Sequence, residues 1–305
     1  MSVAAVDVGG TRTRIELFGE EPEPRCGVAF DTPRSGDVAG TVGEAVLELA
    51  CREKLDAAAV ACPGPLDPVR GVILNPPNLS KEWWDLKLAQ RLSVLLGCPV
   101  ALENDANLGA LGEAEYGGGA GYGSVLYITV STGVGTGLVM DGRIFGGSRG
   151  FAAELGHTTI TEDDRVCGCG RRGCVEAVAS GTAIARRALD AGWKPQEGRE
   201  VTARAVAEAA ASGDEAARGV LAEAAAYLGR AIVNFIYAYD PEVVLIGGGV
   251  AQSDIFMDLV AEAVELEPMM PAFRGVPVLR SALGERSVIC GARALAEKLA
   301  RRGRD

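Results

Sequence analysis

The chain has 305 residues, 48% of them hydrophobic, which is enough for two domains of ordinary size, each with a buried core. Its formal net charge of −11 speaks against nucleic acid or an anionic membrane as the main partner, because phosphate surfaces are met by basic patches. The first residues run Met-Ser-Val-Ala-Ala-Val-Asp7 without a basic leader, and no stretch approaches the ~20 apolar residues of a bilayer span, so the expected compartment is the cytoplasm.

Residues 3–8 predict an apolar strand, Gly9-Gly10-Thr11 a tight turn and residues 13–18 a returning strand. Helical apolar spacing follows over 38–51, then a short buried strand over 57–61, which Cys62-Pro63-Gly64-Pro65 stops sharply. Asn75-Pro76-Pro77-Asn78 and Trp83-Trp84 form a rigid loop. Helical spacing resumes over 86–96, and 99–103 is another strand, ending in Asn104-Asp105-Ala106-Asn107 before a helix of small residues. Residues 125–130 repeat the opening layout: an apolar strand, the glycine/threonine turn Ser131-Thr132-Gly133-Val134-Gly135-Thr136, and a return over 137–140. The polar stretch 192–199 predicts a mobile loop. Residues 214–239 predict a long helix with Leu221, Leu228, Ile232 and Phe235 on its apolar side, closed by Asp240-Pro241. A buried strand over 243–246 runs into Gly247-Gly248-Gly249, with a helix beyond it. Strand and helix alternate, as in an α/β protein.

The two glycine hairpins lack bulky side chains in their turns, so their backbone N–H groups can approach an anion closely. Their repetition suggests two related lobes, each offering a phosphate-facing turn to a shared cleft; either turn alone is also how an ordinary hairpin closes. Asp7 at the edge of the first turn could hold a hydrated Mg²⁺ beside phosphates, or could serve only a turn hydrogen bond. Asp105, at a strand-to-helix junction, could accept a hydroxyl proton as that oxygen attacks phosphorus, or could cap the helix. The Gly247-Gly248-Gly249 junction could admit a nucleotide or a close helix crossing.

His157 is the chain's single histidine, and Cys167, Cys169 and Cys174 follow it closely, spaced by glycines. One imidazole and three thiols are the ligand set of a closed tetrahedral zinc site, which leaves no position for an activated water. Glu154 and Glu176 flank that set, and folding the loop around a metal would bring both carboxylates toward one spot. The other cysteines, Cys26, Cys51, Cys62, Cys98 and Cys290, are scattered through apolar stretches, a usage that suits a reducing compartment.

The succession Asp7-x-Gly-Gly-Thr11, Pro63-Gly64-Pro65, Asn75-x-Pro-Asn78, Glu103-Asn104-Asp105-Ala106-Asn107, Ser131-Thr132-Gly133-x-Gly135, residues 147–157, Cys167-x-Cys169-Gly-x-x-Gly-Cys174-x-Glu176 and Ile246-Gly-Gly-Gly249 resembles the ROK family of repressors, open-reading-frame products and sugar kinases. Within it the bacterial ATP-dependent glucokinases are most similar. The resemblance spans essentially the whole chain; residues 283–292 match less well, and Thr136 stands where many members carry glycine.

The resemblance implies an α/β, actin-like ATPase (ribonuclease H-like) fold of two lobes with a cleft between them. The N-terminal lobe would cover 1–117, with a C-terminal helix at about 291–305 packing back on it, and a larger lobe over 118–290 would carry the zinc loop. It implies Asp105 as general base for the 6-hydroxyl of a hexose, with Gly64, Asn78, Asn104, Glu154, His157 and Glu176 also binding the sugar. Asp7, Gly9, Gly10, Thr11, Arg12, Thr132, Gly133, Gly247 and Gly248 would serve ATP and its Mg²⁺, while His157, Cys167, Cys169 and Cys174 would hold a structural Zn²⁺. With one nitrogen on zinc, His157 would donate from the other to a sugar oxygen.

The expected activity is conversion of glucose to glucose 6-phosphate. Rival expectations are a kinase for N-acetylmannosamine, N-acetylglucosamine or another hexose, a sugar-sensing regulator, and polyphosphate in place of ATP. A strand beginning at residue 3 leaves no room ahead of it for a helix-turn-helix, which tells against the regulator. Family resemblance also implies a homo-oligomer, dimer or tetramer.

Overall fold

The computed structural model describes residues 1–195 and 200–303, so residues 196–199 of the polar stretch predicted as a loop lie outside the described residues. The chain forms two compact units, one of residues 1–120, 142–152 and 286–305, the other of residues 121–141 and 153–285.

The first unit begins with β1 (Val3–Val8), β2 (Arg12–Phe18) and β3 (Cys26–Asp31), an antiparallel meander. Helix α1 (Val38–Leu49) follows, its N-cap Asp37 accepting a hydrogen bond from the Gly40 N–H. Strand β4 (Ala57–Cys62) then pairs parallel to β1. All six β4 residues are buried, which explains why this strand reads as an unbroken apolar run. A small hairpin, β5 (Leu66–Asp67) with β6 (Val72–Ile73), precedes a single 3₁₀ turn in which Trp83 is fully buried and donates its Nε1–H to the Pro33 carbonyl at 2.8 Å. Helix α2 (Leu88–Leu96), strand β7 (Val100–Asn104) and helix α3 (Asp105–Tyr116) complete this part, and the sheet order is β3-β2-β1-β4-β7.

The second unit repeats the plan. Strands β8 (Ser124–Val130) and β9 (Val134–Met140) form an antiparallel hairpin. The two-residue β10 (Arg143–Ile144) belongs to the 142–152 segment. Helices α4 (Val175–Ala179), α5 (Gly181–Asp190), α6 (Ala203–Ala211) and α7 (Glu215–Tyr239) lead to β11 (Val243–Gly247), which lies parallel to β8 as β4 does to β1. Helix α8 (Asp254–Leu266) and β12 (Val278–Arg280) close the unit. Helix α7 is capped by Asp214, which accepts from the Ala216 and Ala217 N–H groups, and buries Leu221, Leu228, Ile232 and Phe235 in a core cluster shared with residues of β8 and α8. By length and composition α7 could cross a membrane, contrary to the expectation that no stretch comes near such a length, but it is a mostly buried core helix.

Helix α9 (Ser287–Arg302) returns to the first unit, packing on α3, β1 and β4. A Cβ on Gly112 would stand 2.1 Å from the Ser287 carbonyl oxygen, and one on Gly291 1.8 Å from that of Leu108, so only glycines let α3 and α9 cross this closely. Arg286 clamps the approach with a two-pronged pair to the buried Glu16 of β2, at 3.1 and 2.9 Å.

Candidate functional site

In the first unit, β1, β4 and β7 run parallel, with Asp7 opposite Ala61 and Cys62 opposite Asn104. Their carboxyl ends therefore gather Asp7, Cys62, Asn104 and Asp105 at one edge of the sheet, the edge at which open α/β sheets bind ligands. Burial pushes the Asp7 carboxyl up to about 6, the Asp105 charge adds to this, and Arg14 opposes it. Burial first, then Asp105 and Asp7, holds the Cys62 thiol well above its ordinary range, so it is an inert neutral wall.

The junction into α3 corrects one reading of Asp105. Asn104 is the cap: its Oδ1 accepts from the Ala106 and Asn107 N–H groups at 2.9 and 3.3 Å. Behind it the Glu103 carboxylate takes the Asn104 N–H and the Asn107 Nδ2–H, and burial raises its pKa. Asp105 is thus the first helical residue, its Oδ1 accepting from the Ala106 N–H at 2.8 Å. With its oxygen committed to the helix, Asn104 offers a ligand its amide hydrogens; the Nδ2 lies 3.4 Å from where a Gly64 Cβ would stand.

The Gly9–Arg12 turn is closed by the Gly9 N–H donating to the Arg12 carbonyl at 2.9 Å. Thr32 Oγ1 donates to the Gly9 carbonyl and Arg34 Nη2 to that of Gly10. Thr11 and Arg12 are exposed. A pocket of about 140 Å³, lined by Gly10, Thr32, Arg34, Asn78 and Ser80 among others, brings the predicted phosphate turn beside the predicted sugar residue Asn78.

In the second unit the β8–β9 turn is shorter than the sequence suggests. Ser131 donates its N–H to the Gly133 carbonyl and the strand resumes at Val134, so Gly135 and Thr136 lie in β9. The Ser131 and Thr132 carbonyls accept from Gly181 N–H and Thr182 at the start of α5, which fixes the turn from behind. Beside it, Gly248 has φ +86, and a Cβ there would stand 2.4 Å from the Val130 carbonyl oxygen. Thr132, Gly133, Gly247 and Gly248 therefore meet at the carboxyl ends of β8 and β11.

His157, Cys167, Cys169 and Cys174 place their ligand atoms all within 4.8 Å of one another. Zinc bonds of about 2.3 Å to sulfur and about 2.0–2.1 Å to nitrogen put tetrahedral sulfurs about 3.8 Å apart and nitrogen about 3.5 Å from sulfur. The Cys169 and Cys174 sulfurs are 3.7 Å apart and Cys167 Sγ is 3.4 Å from His157 Nδ1, so the residues fit that metal. Nδ1 is the nitrogen beside Cys167 Sγ, which leaves Nε2 to donate elsewhere. Glu176, in the first turn of α4, accepts the Val134 N–H at 3.2 Å through Oε2, and its Oε1 is 3.9 Å from His157 Nδ1. A Cβ on Gly133 would meet Glu176 Oε2 at 2.3 Å, so glycine is required for this approach. Burial raises the Glu154 pKa, with His157 lowering it and Glu176 raising it, which puts these three side chains in mutual range.

Sequence reasoning missed Glu103 and the cap role of Asn104, although a carboxylate directly followed by an amide at a strand-to-helix junction was visible. It also missed Cys62 as the neighbour of two carboxylates, for which an all-apolar strand gives no signal.

The profile of the family described as the ROK family matches residues 3–299. The glucokinase of Thermotoga maritima is 34% identical over 307 residues, covering 96% of both chains. An N-acetylmannosamine kinase of Yersinia pestis is also 34% identical, over 94% of this chain and 96% of its own. Among solved structures, a ROK family glucokinase from Streptomyces griseus in complex with glucose and AMPPNP superposes with a TM-score of 0.83 at 28% identity, covering 98% of this chain and 100% of that one.

Proposed function

This chain belongs to the ROK family and has its actin-like ATPase fold, and from that premise we propose that it transfers the γ-phosphoryl group of ATP to the 6-hydroxyl of a hexose, glucose foremost. The observation that carries the reading is the pair Asp7 and Asp105 at the carboxyl ends of parallel strands, each within the other's field.

Asp105 accepts the hydroxyl proton as the sugar oxygen bonds to phosphorus and the bond to ADP breaks. Asp105 needs no special basicity for this, because phosphoryl transfer asks mainly for positioning and charge neutralisation. Asp7, ionised, would hold the hydrated Mg²⁺ that arrives with ATP, which would supply neutralisation of the phosphate charge. The amides of the Gly9–Arg12, Thr132–Gly133 and Gly247–Gly248 turns serve the nucleotide, the phosphates meeting backbone N–H groups rather than lysines, in keeping with an acidic chain.

On the second unit Glu154 and Glu176 accept from sugar hydroxyls and His157 Nε2–H donates; on the first unit Asn104, Asn78 and Gly64 are the polar groups assigned to the sugar. A site of this kind rejects an analogue lacking one hydroxyl because a desolvated carboxylate is then left unpaired. His157, Cys167, Cys169 and Cys174 would hold a zinc ion, which would supply a structural cross-link keeping the recognition loop in one conformation. The working protein is a cytoplasmic homo-oligomer in this reading, which sedimentation analysis would test.

The test is sugar-dependent ADP formation by wild type and Asp105→Asn; full activity in the variant removes Asp105 from the mechanism. The second reading, an N-acetylmannosamine kinase, is favoured by a relative of equal identity. Comparing kcat/KM across glucose, mannose, N-acetylglucosamine and N-acetylmannosamine separates the two.

A further inference from the structure

Glu154 belongs to no strand or helix; it directly precedes a single 3₁₀ turn, Leu155–His157. The residue before it, Ala153, has φ +66, a left-handed conformation that a residue with a Cβ holds only when its surroundings enforce it. The enforcement comes from one hydroxyl. Thr136 Oγ1 donates to the Ala153 carbonyl and accepts the Leu155 N–H at 3.0 Å, so it binds the backbone on both sides of Glu154. Thr136 is buried and sits in β9, paired with Ile128 of β8, on a rigid part of the sheet.

The same strand edge holds the neighbouring groups. A Cβ on Gly156 would stand 2.1 Å from the Val134 carbonyl oxygen, and the Val134 N–H binds Glu176. One short run of β9 therefore sets the position of both carboxylates assigned above to sugar recognition. Only a side chain that donates and accepts at once can do what Thr136 does, because the carbonyl of Ala153 and the N–H of Leu155 need opposite partners.

We propose that Thr136 is a positioning residue for sugar recognition: it fixes the backbone at Glu154 and so the direction of that carboxylate. The proposal rests on the reading of Glu154 as a sugar ligand.

Thr136→Val keeps the shape of the side chain and removes both hydrogen bonds; Thr136→Ser keeps the bonds and removes a methyl group. Expected for T136V is a KM for hexose raised about tenfold with the KM for ATP within about twofold, and for T136S values near wild type. A role in packing alone would give the reverse ranking, with T136S the more damaged in melting temperature and T136V unaltered in sugar KM; that result overturns the proposal. Should T136V fail to fold, Ala153→Gly added to it gives a second arm, because glycine holds φ +66 without strain and should restore folding while both hydrogen bonds beside Glu154 stay missing. Positioning predicts a severalfold higher hexose KM in the double variant than in Ala153→Gly alone, and equal KM values overturn it. Glu154→Gln, run in parallel, distinguishes the two layers of the argument. If E154Q leaves hexose KM unchanged, the assignment of Glu154 to the sugar fails; if E154Q raises it and T136V does not, the inference about Thr136 fails alone.

Discussion

Substituting Asp7 by asparagine makes a stability prediction of unusual sign. The carboxyl has an ordinary value of 3.8 and is raised to about 6 in the fold, mainly by burial and next by Asp105. Between those two values the folded chain keeps a proton that the unfolded chain has released. Stability therefore falls as pH rises through this window and is level above it. At about 1.4 kcal/mol per pH unit, holding the ionised carboxylate costs the fold up to about 3 kcal/mol at neutral pH. An asparagine side chain has the same shape and no charge, so the variant gains that amount relative to wild type above pH 6 and nothing below pH 4, while losing Mg²⁺-dependent turnover. The assay is urea unfolding without nucleotide at half-unit steps from pH 4 to 8, compared between the two proteins. Asp105→Asn, which removes the neighbouring charge, should move the wild-type descent to lower pH. Parallel pH profiles for wild type and D7N would refute the reasoning, since no buried ionisation at Asp7 could then be driving the slope.

Asp105→Asn should lower kcat by ~10²–10⁴ with little change in hexose KM, the signature of a lost proton acceptor rather than a lost binding contact; stopped-assay kinetics decide it. Stripping metal with a chelator should lower the melting temperature by roughly 5–10 °C, at ~2–4 °C per kcal/mol for a unit of this size, and raise hexose KM. Metal analysis should find one zinc per chain before treatment, and protein that loses zinc with both quantities intact would remove the metal from the account. Gly133→Ala drives a methyl group to within 2.3 Å of Glu176 Oε2, so the carboxylate must leave the Val134 N–H. The loss of one charge-assisted hydrogen bond, about 1.5 kcal/mol, predicts roughly a tenfold rise in hexose KM.

Much of the fold was legible because its central strands are apolar on both faces and bounded by glycine or proline, as at β4 and β8. The edge strand β3 was not read, since its exposed Gly27, Val28 and Ala29 leave no alternation to detect and its identity comes from pairing with β2. The start of β9 was placed late for a related reason. Gly135 and Thr136 look like turn residues, but they pair with Thr129 and Ile128, and cross-strand hydrogen bonding overrides the weak strand preference of glycine. The cluster of His157, Cys167, Cys169 and Cys174 was visible as a spacing pattern, whereas the hydroxyl that binds the backbone on both sides of Glu154 was not. Thr136 and Ala153 are 17 positions apart, and nothing in either residue's neighbourhood announces the other.

Helix α9 gives this chain an order of assembly that runs against its order of synthesis. Every strand of the first sheet has been made once Asn104 is joined, yet the helix that covers β1 and β4 begins only at Ser287. At ~5–20 residues per second the ribosome needs roughly 10–40 s to bridge that interval. Throughout it the earlier-made half carries an open apolar face, a surface that chaperones bind, while the later-made half needs nothing beyond Glu285 to close its own core. A frameshift or stop shortly before Ser287 would therefore strike the part of the protein that was translated first.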